Sequence, residues 1–78
     1  MNKQDIKTEF GNNLRAERNR RNYSQEKLAE LAGLSYFTHI GKIENGKLDI
    51  ELTTIVKLLS ALNIPFETLI DVNKFKDQ

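Results

Sequence analysis

Apolar residues recur along this chain at intervals of three and four, and no stretch alternates like a strand over more than a few residues. At 3.6 residues per turn such spacing gathers apolar side chains on one helix face. Ile6, Phe10 and Leu14 make the first stripe and predict a helix from about Asp5 to Arg21, with Lys, Glu, Asn and Arg on its other faces. Asn22-Tyr23 breaks the pattern. Ser24 is a good N-cap for a second helix, Gln25 to Ala32, expected to bury Leu28 and Leu31 with Ala29 between them. Glu26 lies in its first turn, where the helix dipole favours an anion. Gly33 ends that helix, because a left-handed backbone costs glycine least. Leu34 then points inward and Ser35 can cap a third helix, roughly Tyr36 to Asn45, carrying Ile40 and Ile43 to the core before Gly46 closes it. A fourth helix, about Glu51 to Leu62, places Leu52, Ile55, Leu59 and Leu62 at helical spacing. Pro65, the only proline, suits the first position of a short fifth helix with Leu69 and Ile70. Beyond Val72 the tail is polar except for Phe75.

The expected architecture is therefore all-α and compact, five helices around one core with links of about two to six residues. The second and third helices are joined by a tight Gly-Leu-Ser turn, the layout of a helix-turn-helix. With 78 residues there is room for one core only. The absence of cysteine fits a reducing compartment, hence a cytoplasmic, nucleoid-associated expectation, and no apolar run suggests a membrane span or a signal peptide.

Net charge is +1, but it is unevenly spread. Residues 1–24 carry six basic and three acidic side chains, 25–47 carry three of each, and 48–78 carry three basic and five acidic. One basic end permits a nucleic-acid face without requiring one. Catalysis has little to work with. There is one histidine, no glycine-rich loop leading to a helical lysine and hydroxyl, and no three plausible metal ligands. Asp49 and Glu51 read as cap and first-turn acid of the fourth helix. No enzyme activity, cofactor or metal is expected.

The string Ser24-Gln25-Glu26-Lys27-Leu28-Ala29-Glu30-Leu31-Ala32-Gly33-Leu34-Ser35, followed by Ile40-Gly41-Lys42-Ile43-Glu44-Asn45-Gly46-Lys47, resembles the Cro/cI-type helix-turn-helix family of lambda-repressor-like, XRE-type regulators. The likeness takes in Phe10-Gly11, Leu14-Arg15 and Arg18 upstream, and Leu52, Thr54-Ile55, Leu58 and Ala61-Leu62-Asn63-Ile64-Pro65 downstream. It covers residues 10–70, the expected domain, between a helix start at 1–9 and a tail at 71–78. It implies a five-helix bundle that regulates transcription, as a repressor, by binding a pseudo-palindromic operator in double-stranded DNA as a homodimer. The second helix would brace the phosphate backbone and the third would lie in the major groove.

One departure stands out. Relatives place three residues between the counterparts of Ser35 and Ile40, where this chain has four, Tyr36-Phe37-Thr38-His39. Inside a rigid helix an extra residue rotates the preceding side chains by about 100°, so it is expected in the turn. Phe37 then either packs inward or projects toward thymine methyls.

The resemblance implies that Gln25 supports a phosphate contact at the start of the second helix. Ser35, Tyr36, Phe37, Thr38 and His39 would form the exposed start of the reading helix, with Lys42 further along the same face. Asn45 and Lys47 would approach phosphates at the corner after it. Arg18 and Glu44 align with a structural arginine–glutamate pair, whereas Arg15, Arg20 and Arg21 are expected to be solvated, with phosphate contact as the alternative. Ile64, Phe66, Ile70 and Phe75 are the apolar excess expected to form a dimer surface. Two other readings stay open: an antitoxin or protein-partner-binding module that also binds DNA, and a helix-turn-helix scaffold that does not.

Overall fold

The computed structural model describes residues 2–76. Met1, Asp77 and Gln78, the outer ends of the two expected flanking segments, lie outside the described residues. Four α-helices run in order: α1 (Lys3–Arg20), α2 (Gln25–Ala32), α3 (Thr38–Glu44) and α4 (Leu52–Leu62). They are followed by two 3-10 turns, Phe66–Thr68 and Val72–Phe75. Among the described residues there is no strand, and no helix is long and apolar enough to cross a membrane.

Local chemistry sets the boundaries. Asn2 begins α1 with a reciprocal box: its Oδ1 accepts from the Asp5 amide at 3.0 Å, and the Asp5 carboxylate accepts from the Asn2 amide at 3.1 Å. Ser24 Oγ accepts from the Lys27 amide at 2.9 Å and starts α2 as expected. Gly33 ends α2 at φ 70°, in the left-handed region. Asn63 ends α4 in the same way at φ 55°, which a short polar side chain tolerates.

The core comprises Phe10, Leu14, Leu28, Ala29, Ala32, Ile40, Ile43, Leu58, Leu62, Leu69 and Ile70. Three residues expected inside are not. Ile6, Leu31 and Leu52 are exposed, Leu52 by 74%. On α4 the buried stripe is Leu58 and Leu62, with Ile55 and Leu59 only half-buried on its shoulder. The face thus lies to one side of the spacing that includes Leu52.

The fifth helix is replaced by the two 3-10 turns. The segment is short for a helix nucleus, and the Leu69 carbonyl is taken by Asn13 Nδ2 at 2.8 Å instead of by a later amide. Lys74 Nζ reaches Glu9 at 2.8 Å and ties the second turn to α1. This hydrogen bond holds the Glu9 carboxyl below its ordinary range and the Lys74 ammonium above its own. The expected dimer surface changes accordingly. Ile70 is buried, Ile64 and Phe75 pack against the core, and of that set only Phe66 is exposed, so these side chains mainly close the hydrophobic interior.

Candidate nucleic-acid interface

α3 spans seven residues, Thr38–Glu44, rather than the expected Tyr36 to Asn45. Its buried residues, Ile40, Ile43 and Glu44, stand at i, i+3 and i+4 and form its inner face. Thr38, His39 and Lys42 are exposed. Tyr36 and Phe37 lie in the link Gly33–Phe37 and precede the helix instead of belonging to it. Ser35 consequently does not cap α3. The N-cap is Phe37, and no side chain hydrogen-bonds the first turn. Phe37 is 48% exposed and Tyr36 66%, so neither is a core residue. The His39 side chain is exposed, with its ring centroid 5.8 Å from that of Tyr36.

The inner face of α3 is fixed by one carboxylate. Glu44 is 1% exposed. It accepts from Arg18 Nε at 2.6 Å and Arg18 Nη2 at 3.0 Å, from Arg15 Nε at 3.4 Å, and from Gln25 Nε2 at 3.2 Å. Arg18 also donates to the Tyr23 carbonyl at 2.8 Å. The hydrogen bond to Glu44 raises the Arg18 guanidinium further above its ordinary range, against the opposing effect of burial. Among the described residues no buried side-chain polar atom lacks a hydrogen-bond partner, so this ion cluster carries no orphaned group.

Gly11 lets α3 approach α1. A Cβ there would run into the backbone carbonyl of Ile43 and stand 2.8 Å from that of Glu44. Gly46 is buried against α1, and Gln4 Nε2 donates to its carbonyl at 2.9 Å.

All nine residues singled out in the sequence lie on α2's first turn, the link, α3, or the corner after it. Ser35, Tyr36, Phe37, Thr38, His39, Lys42, Asn45 and Lys47 are exposed. Gln25 is half-buried, with its amide turned toward Glu44 and packed against Gly41, so it also sets how α2 meets α3.

Sequence reasoning placed the Arg18–Glu44 pair but missed the partners of Arg15 and Arg21. Arg15 is not simply solvated: its Nη2 donates to Asn45 Oδ1 at 2.7 Å and to the Glu44 carbonyl at 3.2 Å. Arg21 donates to the Glu17 carboxylate at 2.9 Å and to the Leu62 carbonyl at 3.1 Å, satisfying an end of α4, and Arg20 pairs with Glu17 at 3.0 Å. The available signal was positional. Gly11, Arg15 and Arg18 fall at i, i+4 and i+7 of α1, the stripe that faces α3.

Comparison with known proteins agrees with this geometry. The helix-turn-helix family HTH_3 matches residues 14–69. The control protein C.SmaI of Serratia marcescens is 38% identical over 74 residues, covering 95% of this chain and 87% of that protein. The crystal structure of the restriction-modification controller protein C.AhdI from Aeromonas hydrophila superposes with a TM-score of 0.78 at 38% identity, covering 85% of this chain and 97% of the other. An HTH_3 family transcriptional regulator from Vibrio cholerae gives a TM-score of 0.80 at 28% identity, over 87% of this chain and 38% of that longer one. With its helical core, its short exposed α3 and a match across most of its length, this chain belongs to the HTH_3 helix-turn-helix family.

Proposed function

We propose that this DNA-binding transcriptional regulator reads a two-fold operator by laying α3 of each protomer in the major groove, and that it acts by binding rather than by catalysis. One observation carries the reading. The outward side of α3 and the link before it form a continuous run of exposed side chains, Tyr36, Phe37, Thr38, His39 and Lys42, on a helix whose inward side is buried and ion-paired. A groove about 12 Å wide admits one helix. Lysine and histidine supply donors to base edges, the threonine hydroxyl donates or accepts, and Phe37 offers an apolar contact to thymine methyls. Gln25, Asn45 and Lys47 flank this run and suit phosphates, which position without specifying.

A seven-residue helix reads only a few base pairs, which supports a homodimer on half-sites one turn, about 34 Å, apart. For the second copy we place the contact at Leu52 and Val56, 74% and 56% exposed and one turn apart on α4. We further propose that it represses by occupying the operator, in the cytoplasm. Likeness to proteins named as restriction-modification controllers supports a target of that kind, namely the genes of such a system.

Selection of bound duplexes from a randomised pool, at low and moderate salt, tests the reading. A two-fold motif with half-sites one turn apart is expected. Weak binding that vanishes with salt and enriches no motif would reject base readout by α3. Val56→Glu is expected to shift sedimentation from dimer to monomer, and an unchanged sedimentation coefficient would refute the α4 contact.

A further inference from the structure

The hydrogen bonds at the corner after α3 decide which way Asn45 faces. Arg15 Nη2 lies 2.7 Å from one terminal atom of the Asn45 side chain. A guanidinium carries donors only, so the atom it meets must be the oxygen. The NH2 end is then the one turned away from Arg15, on a side chain that is itself exposed. The backbone beneath it is equally held. The Asn45 amide donates to the Gly41 carbonyl at 3.0 Å, and the Lys47 amide to the Lys42 carbonyl at 2.9 Å. Gln4 secures Gly46 from the α1 side, at 2.9 Å. Two N–H donors are thus presented at a fixed place, two residues from the exposed Lys47.

We infer that Arg15 is a positioning residue for DNA binding: by engaging Asn45 Oδ1 it aims the Asn45 amide donors at a backbone phosphate. The inference rests on reading this corner as a phosphate contact. A phosphate oxygen only accepts, so the reversed amide would oppose it oxygen to oxygen. An unrestrained asparagine samples both orientations, and the arginine removes the wrong one before DNA arrives. The binding-competent fraction rises and less ordering remains to be done on association. Arg15 also donates to Glu44 at both its carboxylate and its carbonyl, so the aim of the amide is tied to the same cluster that seats α3.

The test is a double-mutant cycle read by fluorescence anisotropy on the duplex that the wild-type protein selects, using Arg15→Met, Asn45→Ala and the pair. Methionine keeps the aliphatic stem of Arg15 but no donor. Asn45→Ala is expected to weaken binding about tenfold in the wild-type background, the worth of a hydrogen bond to a charged acceptor, and only about fivefold beside Arg15→Met, where an amide sampling both orientations is competent about half the time. Equal losses in both backgrounds would overturn the positioning role while leaving DNA binding intact. Failure of the wild-type protein to bind any duplex would instead remove the functional reading on which the inference rests, and the inference with it. Asn45→Asp is the second variant, and it decides the matter if Arg15→Met does not fold. It keeps an acceptor for Arg15 but turns an anion toward the phosphate, so an unchanged or raised melting temperature with at least about tenfold weaker binding is expected. Wild-type affinity in that variant would overturn the inference.

Discussion

The two ends of α3 are held by different means. At the C-terminal end Glu44 is buried and gathers Arg15, Arg18 and Gln25, Gly11 brings α1 into backbone contact, and Gln4 secures Gly46. At the N-terminal end the N-cap residue is a phenylalanine with no side-chain cap, and the residues from Ser35 to His39 are exposed. A reading helix must be placed accurately against the rest of the molecule, yet its outward side chains must meet DNA. Placement is thus held at one end, while the side chains proposed to meet base edges at the other, Tyr36 to His39, have little structural duty.

The largest expected effect lies at the anchored end. Glu44→Ala leaves the largely buried Arg18 without its carboxylate, and urea denaturation is expected to show a loss of about 3–5 kcal/mol. A domain of this size has roughly that much to lose, so the variant should be largely unfolded at 37 °C. If the loss is below about 1 kcal/mol, the cluster does not anchor α3. Gly11→Ala is expected to cost about 3 kcal/mol, because the added methyl meets backbone carbonyls of α3, which cannot move aside as a side-chain tip can. The reading end should respond oppositely. Thr38→Val and His39→Ala are each expected to change folding stability by no more than about 0.5 kcal/mol. Either one, where it contacts a base, should cost about 1–3 kcal/mol of binding to the selected duplex and relax preference at one position. A large loss of stability there would erase the distinction between the two ends.

The smallest effect concerns a contact far along the chain from both ends. Lys74 holds the Glu9 carboxyl below its ordinary pKa of 4.5. A depressed carboxyl stabilises the fold fully above the unfolded glutamate pKa, and that contribution is lost as pH falls through the lower folded value. Lys74→Ala should therefore flatten the dependence of melting temperature on pH in that acidic window. Duplex binding near neutrality should be unchanged.

The anchored end was the legible one. The Arg18–Glu44 pair was implied by the family resemblance, whereas Ser24 as a cap, Gly33 as a left-handed stop and the stripe of Phe10 and Leu14 could be named from residue type and position. Each depends on chemistry that admits few alternatives. What failed depends on what covers a face rather than on its periodicity. Ile6, Leu31 and Leu52 have helical spacing, but a small domain has too few elements to cover every apolar position, and these stay in water. Pro65 promised a helix, yet the Asn13 side chain, 56 positions from Leu69 in sequence, takes the carbonyl that would have continued it. Arg15 resembled a solvated charge for the same reason, since its partners Glu44 and Asn45 lie on another helix and the corner beyond it. Of the nine candidate contacts, position was readable throughout, but the start of α3 was set two residues early by the aromatic pair Tyr36-Phe37.

The link Gly33–Phe37 carries Tyr36 and Phe37 outside α3, whose buried side is held without them. A helix seated from one end behaves as an exchangeable cassette. On the proposed reading, insertions and replacements at its leading edge change which sequences are favoured while the hydrophobic interior stays as it was. Binding preference in such a protein can drift along paths on which every intermediate still folds, so an altered target can be acquired in single steps without compensating changes elsewhere.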